Sequence, residues 1–344
     1  MDSNKNDVLV TSIPHITNGV SVPRIMLCVT AALIPAGASA VYRFGAEALF
    51  IILVSVASCV VFEALYRIIV KKPATVADFS AVVTGLLLAY TLPASSPLWM
   101  PAVGAFIAIV IVKQVFGGLG QNIVNPALAA RVFLQAAYPA QMSDWSSSAA
   151  SFDAPSVSSA ATHAVSAATG LHAASSATPL AVMKINAAAP AANDYINALI
   201  GNINGSLGET CALALIAGGV FLISVKVISW RIPTSFILSA VLFSWAMGRN
   251  GPFTGAPLYE ILLGGLMLGA FFMATDYTTS PVTPKGQILM GCGCGLLTVV
   301  IRVYGGYPEG VNYAILIMNA AVPLIDRYTK PRVFGLGKRG EKNA

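Results

Sequence analysis

The sequence predicts an all-α integral membrane protein with about ten transmembrane helices, arranged as two halves of five. Two observations carry this prediction. The 344 residues are 56% hydrophobic and only 10% charged, a composition typical of a membrane protein rather than a soluble domain. One long polar stretch, 140–206, separates two sets of apolar segments. A bilayer core of about 30 Å needs roughly 20 apolar residues per helix, and the chain has room for about ten such spans.

Ten apolar segments follow one another along the chain, five on each side of the polar stretch. The first contains Pro35, and the third is short and ends at Pro93. A glycine-rich run, 117–122, precedes the short fifth segment, which is the pattern of a helix broken at membrane depth beside a protein cavity. The predicted spans are 24–42, 46–70, 78–92, 101–116, 126–138, 208–228, 234–247, 258–275, 287–303 and 310–325.

These segments divide the chain into five parts. Residues 1–22 are polar and lack the apolar core and cleavage site of a signal peptide, so the first span is expected to direct insertion. Residues 23–138 and 208–328 are the two predicted five-helix halves, and 329–344 form a basic tail. The loop 139–207 is mostly Ala, Ser and Thr, with too few large apolar side chains for a core of its own. By composition alone it is a surface linker.

Lysine and arginine are distributed unequally between the two predicted membrane faces. With a cytoplasmic N-terminus, fifteen of the twenty basic residues fall on the cytoplasmic side and five on the other. The positive-inside rule therefore predicts cytoplasmic N- and C-termini and an extracytoplasmic loop 139–207. The net charge of +6 is explained by topology and does not indicate a nucleic-acid partner.

An odd number of spans in each half means that two homologous halves would be inverted relative to each other. A faint internal similarity supports this arrangement. Gly-Gln-Asn at 120–122 resembles Gly-Val-Asn at 310–312, and Asn-Pro-Ala at 125–127 resembles Asn-Ala-Ala at 319–321. Inverted five-helix repeats place a binding site near the membrane midplane, between the halves.

Five acidic residues lie inside or at the ends of predicted spans, where an unpaired charge is costly. They are Glu63, Asp78, Glu209, Glu260 and Asp276. Each is a candidate for an ion or proton pathway. The alternatives are helix caps for the acids at helix ends and, for Glu63, an ion pair with Arg67 one turn later. The pair Cys292 and Cys294 is interpreted as small-residue helix packing rather than a metal site.

Four separated motifs resemble the RnfD/NqrB family, which comprises the D subunits of ion-translocating ferredoxin:NAD oxidoreductases and the B subunits of sodium-pumping quinone reductases. They are DFSAVVTGLLLA at 78–89, FGGLGQNIVNPA at 116–127, GSLGET at 205–210 and NAAVPLIDR at 319–327. The resemblance covers nearly the whole chain. The lack of a long N-terminal extension favours the RnfD branch over the NqrB branch.

The resemblance implies a covalent flavin, FMN joined through its phosphate to a threonine by an ApbE-like flavin transferase, in a D-x-x-S-G-A-T pattern. The best match, at 172–178, makes Thr178 the expected acceptor, followed by Pro-Leu as in the family. Its motif neighbours are His172, Ser175, Ser176 and Ala177. The first of these stands where Asp is usual and the third where Gly is usual. A second match, at 163–169, makes Thr169 the alternative. The chemistry is expected to need an exposed and flexible segment around the hydroxyl.

The family also implies a second, non-covalent flavin such as riboflavin in the same subunit. Cations and free backbone amides can hold such a group. Lys113 and Arg131 flank the glycine-rich run and are candidates, together with Gly117, Gly118 and Asn122. The alternatives are a cytoplasmic anchor for Lys113 and a structural cation for Arg131.

By this resemblance the chain is expected to be a redox subunit of an Rnf complex in a bacterial or archaeal plasma membrane, with a fold similar to that of urea channels. It would carry electrons between reduced ferredoxin and NAD with export of Na⁺ or H⁺. Its expected partners are the other Rnf subunits, membrane lipid and the flavin transferase. Two other classes stay open, a non-redox channel or transporter and a membrane anchor for soluble redox proteins. Neither would carry a flavin.

Overall fold

The computed structural model describes residues 21–73, 75–145, 178–186, 190–248, 253–307 and 309–330. Within these ranges all regular structure is helical and no strand is present. The all-α prediction is therefore confirmed for the described part of the chain. The N-terminal segment up to residue 20, loop residues 146–177 and the tail after residue 330 lie outside it.

The first half consists of five helices in the predicted order. They are α1 (Val22–Phe44), α2 (Ala46–Ile69), α3 (Ser80–Tyr90) after a 3-10 helix (Val76–Asp78), α4 (Trp99–Phe106, continuing as a π-helix, Ile107–Gln114) and α5 (Pro126–Ala137). Gly45, at φ +72°, ends α1 and lets the chain turn directly into α2. The side chain of Asn125 caps α5 by accepting hydrogen bonds from the backbone N–H groups of Ala127 and Leu128.

The second half follows two short helices from the loop region. They are α6 (Pro179–Asn186) and α7 (Ala192–Ile200). The helices of the half itself are α8 (Ala212–Ser224), α9 (Arg231–Ala246), α10 (Pro257–Leu262), α11 (Leu266–Leu268, continuing as a π-helix, Gly269–Met273), α12 (Pro284–Tyr304) and α13 (Val311–Thr329). The prediction of one continuous span over 258–275 is wrong. Gly264 and Gly265, at φ +65° and +68°, break it between α10 and α11.

Three helices of the described residues, α1, α2 and α12, are long and apolar enough to cross a membrane. They correspond to the first, second and ninth predicted spans. Four shorter apolar helices, α3, α4, α8 and α9, follow the predicted positions as well. An α-helix rises about 1.5 Å per residue, so these shorter helices cross less of a bilayer than the long ones.

Helices α9 and α12 pack closely through small residues. Gly291 and Gly295 of α12 face Ser235 and Ser239 of α9, and a Cβ atom added at either glycine would overlap the facing serine hydroxyl. Small residues allow this backbone approach between membrane helices. Within the Cys-Gly-Cys run between these glycines, Cys294 is buried and Cys292 is exposed, and Gly293 contacts Met318 of α13.

The two halves meet through their first and fifth helices, α1 with α8 and α5 with α13. Asn125 and Asn319, which the internal similarity paired, contact each other at this junction. With the Asn319 amide oriented so that its oxygen faces a donor and its nitrogen faces acceptors, the backbone N–H of Asn125 donates to the Asn319 oxygen (3.1 Å) and the Asn319 nitrogen donates to the carbonyl of Thr279 (3.1 Å). The side chain of Asn125 also donates to the carbonyl of Met273 (3.2 Å). These contacts join the start of α5 and the end of α11 to the middle of α13.

Candidate functional site

The first candidate site is a cavity between the two halves, here named the central cavity. Its empty volume is about 770 Å³, including the space at its mouth. Helices α1, α3 and α11, the end of α8 and the glycine-rich segment form its walls. The polar residues that line it are Ser80, Thr84, Lys113, Asn122, Asn125, Thr275, Asp276 and Thr278.

A buried ion pair stands in the wall of the central cavity. The ammonium of Lys113 donates to Glu63 Oε2 (2.9 Å) and to the hydroxyl of Ser80 (2.7 Å). The other Glu63 oxygen accepts from the hydroxyl of Thr75 (2.7 Å) and from the amide of Gln114 (3.1 Å). The two charged side chains are 3% and 1% exposed. Additional hydrogen bonds of this kind are what a buried pair needs to offset its desolvation.

The glycine-rich segment forms the predicted break between α4 and α5. Gly117, Gly118 and Gly120 have φ values of +125°, +99° and +91°, which residues with a side chain rarely adopt. The guanidinium of Arg67 lies against this break, because a Cβ atom added at Gly118 would be 2.7 Å from Arg67 Nη2. The alternative Glu63–Arg67 ion pair is not among the ion pairs of the described residues. Glu63 is paired with Lys113 instead.

The second candidate site lies where α6 packs over the break between α10 and α11, and is here named the loop-side site. Its cavity has an empty volume of about 300 Å³ and is lined by Thr178, Glu209, Gly264 and Glu309, among others. Leu180 of α6 is buried with Tyr259 and Leu263, which fixes the start of α6 at this place.

Thr178 lines the loop-side site, and its hydroxyl caps α6. It accepts a hydrogen bond from the backbone N–H of Ala181 (3.3 Å), as the cap of a helix that begins with Pro179. Thr178 is only 6% exposed. The expectation of an exposed hydroxyl is therefore wrong for this residue, because the docking of Leu180 draws Thr178 into the protein.

Arg302 of α12 holds the broken end of α10. Its guanidinium donates to the carbonyls of Glu260 (2.6 Å), Leu263 (2.9 Å) and Gly264 (3.2 Å). A cation at this position satisfies carbonyl groups that the interrupted helix leaves without intrahelical partners. Arg302 thus fixes the floor of the loop-side site beneath Thr178.

A second buried arginine approaches the same site from α5. Arg131 Nη2 donates to Glu309 Oε2 (3.2 Å), and Arg131, Arg302 and Glu309 all interact electrostatically with Glu209. Arg131 is 1% exposed, yet its Nε and Nη1 atoms have no hydrogen-bond partner among the described residues. Leaving buried donors of a charged group unsatisfied is costly. Two unsatisfied guanidinium nitrogens suit an anionic ligand.

The structure divides the predicted site residues between the two sites. Around the central cavity lie Glu63, Lys113, Gly117, Gly118, Asn122 and Asp276. At the loop-side site lie Thr178, Glu209, Glu260 and Arg131. Arg131 is joined to Glu309 in an ion pair. Asp78 is not among the described residues that line either cavity. The predicted residues Thr169, His172, Ser175, Ser176 and Ala177 lie outside the described residues.

Sequence reasoning missed two residues of the loop-side site. Glu309 lies between two predicted spans, so it was not counted among the acids that the bilayer makes costly. Arg302 was counted only as one of the basic residues that set the predicted topology. A signal for Glu309 was present, since it is an acid directly before the Gly-Val-Asn run that takes part in the internal similarity.

Comparisons with known proteins agree along almost the whole chain. The model of the NQR2, RnfD, RnfE family matches residues 9–335. The chain is 47% identical over 337 residues to the D subunit of the Na(+)-translocating ferredoxin:NAD(+) oxidoreductase complex of Acetobacterium woodii, covering 97% of this chain and 98% of that protein. It is 42% identical over 339 residues to the D subunit of the proton-translocating ferredoxin:NAD(+) oxidoreductase complex of Clostridium ljungdahlii, covering 96% of this chain and 97% of that protein. It is 37% identical over 353 residues to the D subunit of the ion-translocating oxidoreductase complex of Mannheimia succiniciproducens, covering 96% of this chain and 99% of that protein.

Proposed function

The chain belongs to the NQR2, RnfD, RnfE family, and we propose that it is the D subunit of a membrane complex that couples electron transfer from ferredoxin to NAD⁺ with ion translocation. The observation that carries the proposal is the similarity to named D subunits over nearly the full length of both chains. The aligned region includes the apolar helices, so we also propose that the chain lies in the membrane.

FMN is proposed to be attached through its phosphate to Thr178. The assignment rests on the match of 172–178, followed by Pro-Leu, to the family's attachment pattern. In the structure, Thr178 lines a cavity with Glu309, whose ion-pair partner Arg131 has two guanidinium nitrogens without a partner in the described part of the chain. Guanidinium groups bind phosphate well because their donors match its oxygens. When bound, the flavin supplies the electron-transfer chemistry, while Arg131 and Arg302 supply positive charge near the phosphate.

A second flavin, held without a covalent bond, is proposed for the central cavity. The cavity lies between the two halves and is lined by apolar side chains together with a few polar ones, as ligand sites commonly are. Lys113 and Asn122 offer hydrogen-bond donors in its wall, and the glycine-rich segment with Gly117 and Gly118 adjoins it. Arg131 is not among the residues that line this cavity.

Ten spans in two inverted halves remain the proposed architecture. One correspondence between the halves supports it. The third helix of each half is broken, at Phe79 with φ +58° in the first and at Gly264 and Gly265 in the second. A cation of the fourth helix touches each break, Lys113 through Ser80 and Arg302 through carbonyls. The positive-inside prediction still puts the attachment loop outside the cytoplasm.

The acidic residues of both sites are proposed as parts of the ion pathway. Asp276 lines the central cavity and Glu209 the loop-side cavity, and acids inside a membrane protein mark ion or proton routes. Na⁺ and H⁺ both stay open, because one relative is named for sodium and another for protons.

The experiment that tests the attachment site uses two threonine variants of the chain produced together with its flavin transferase. Thr178→Ala is expected to abolish the fluorescent flavin band in a denaturing gel and to stop electron transfer through the complex. Thr169→Ala is the matched control and should change neither. Loss of the band in Thr169→Ala alone would assign the flavin to the upstream motif. No band in the unmodified chain would refute covalent attachment. A channel or a membrane anchor would then be the preferred alternatives.

A further inference from the structure

Arg67, near the end of α2, is a buried cation without a counter-ion. It is only 9% exposed, and its side chain forms no ion pair or hydrogen bond within the described ranges of the chain. Its Nε atom is fully buried and has no partner there. A guanidinium keeps its positive charge at physiological pH, and burying a charge without a partner is costly. The side chain therefore needs a negatively charged partner that the described residues do not supply.

The nearest acid in the sequence does not balance this charge. Glu63 lies one turn before Arg67, but it is paired with Lys113 and its second oxygen accepts from two neutral side chains. That pair is neutral as a whole, so the charge of Arg67 is in excess. The next residues add to the excess, because Lys71 and Lys72 are exposed cations and no acid occurs between positions 64 and 77.

The glycine-rich break between α4 and α5 lies directly against the guanidinium of Arg67. Arg67 Nη2 takes the space of a side chain at Gly118, since a Cβ atom added there would be 2.7 Å from it. The N–H groups of Leu119 and Gly120, the next two residues, donate no hydrogen bond within the described structure. Backbone N–H groups of glycine-rich loops bind phosphate, and guanidinium donors match its oxygens. Both kinds of donor are thus present at this break.

Exposed apolar side chains stand beside the same place. Those at the end of α2 and those directly before the glycine-rich break are Ile68, Ile69, Val115 and Phe116. In the proposed membrane location these side chains contact lipid, and the positive-inside prediction puts Arg67 at the cytoplasmic face. Anionic lipid headgroups of that leaflet attract basic residues. A phosphate can therefore reach Arg67 from the membrane or from the cytoplasm.

We propose that Arg67 and the glycine-rich break at 117–120 form a binding site for a phosphate group, which is carried by a membrane phospholipid or by a soluble phosphate. A phosphodiester compensates the charge of Arg67 and accepts hydrogen bonds from its guanidinium. Neither Arg67 nor Gly118 is among the residues that line the central cavity or the loop-side cavity. The site is thus independent of both flavins proposed above.

The test measures the melting temperature of the full-length subunit in maltoside detergent, after lipid removal, against the concentration of an added probe. The probes are phosphatidylglycerol, inorganic phosphate and diacylglycerol, which has the acyl chains without the phosphate. A ligand that binds only the folded protein raises the melting temperature. A rise with phosphatidylglycerol alone assigns the site to a lipid headgroup, and a rise with inorganic phosphate as well assigns it to phosphate from either source. An equal rise with diacylglycerol would overturn the proposal.

Arg67→Gln should raise the probe concentration for a half-maximal shift at least about tenfold, because a charge-assisted hydrogen bond contributes that factor or more to affinity. Arg24→Gln is the matched control, since Arg24 is an exposed cation on the same predicted face, and its response should match that of the unmodified protein. Without a probe, Arg67→Gln should be at least as stable as the unmodified protein, because it removes an uncompensated buried charge. The same half-maximal concentration in Arg67→Gln, or no shift with either phosphate probe, would overturn the proposal.

Discussion

Replacing Lys113 with methionine should destabilise the protein strongly, because it leaves the Glu63 carboxylate without its counter-charge. The substitution removes hydrogen bonds of 2.9 Å to Glu63 and 2.7 Å to Ser80. The carboxylate that stays behind is 1% exposed, so water cannot replace the lost ammonium. Breaking a buried ion pair on one side costs roughly 3–5 kcal/mol, and we expect a loss of that size in the free energy of unfolding.

The assay is chemical denaturation in detergent, followed by circular dichroism. Lys285→Met is the control, since Lys285 is exposed at the start of α12 and should have an effect within about 0.5 kcal/mol. The double variant Glu63→Gln with Lys113→Met should recover most of the lost stability, because a neutral amide keeps hydrogen-bonding groups for Thr75 and Gln114. If the double variant is as unstable as the sum of the two single variants, the two charges are not coupled and the reasoning fails.

The remaining predictions concern helix packing, topology and the ion pathway. Gly295→Ala should destabilise the protein by about 1–3 kcal/mol through overpacking. Gly306→Ala should not, because Gly306 has open space around it in the described structure. Equal stability of the two variants would argue against the close α9–α12 contact. Cysteines introduced at Ser158 and Gly340 should react with impermeant probes from opposite faces of intact cells, and labelling from one face would remove the ten-span topology. Glu209→Gln should reduce ion-coupled turnover while the covalent flavin band persists; unchanged coupling would leave Glu209 with a structural role.

Helix positions could be predicted from the sequence where hydropathy and glycine content gave clear signals. Helices α1 and α2 begin and end within two residues of the predicted spans, because a long apolar run has few structural alternatives to a membrane helix. The break at 117–122 could be predicted because three glycines cluster there. The break at Gly264 and Gly265 could not, because two glycines inside an apolar run hardly change its hydropathy. Their left-handed conformation is visible only in the backbone.

The loop-side site was less predictable, because its parts come from distant points of the chain. Arg131 and Glu309 are separated by 178 positions, and no spacing rule relates them. The similarity that paired Asn125 with Asn319 did locate one contact between the halves. It could not show which charged side chains would be buried on either side of that contact.

The burial of Thr178 has a consequence for the flavin attachment proposed above. Its hydroxyl is covered while Leu180 is docked and the first turn of α6 is formed. A transferase that attaches the proposed flavin would have to bring this hydroxyl into its own active site, and it cannot do so through a folded helix. The proposed transfer to Thr178 would therefore need α6 to be undocked. On this proposal, a subunit that folds completely before it meets its transferase would be closed to the modification, so supply of the transferase and speed of folding would compete.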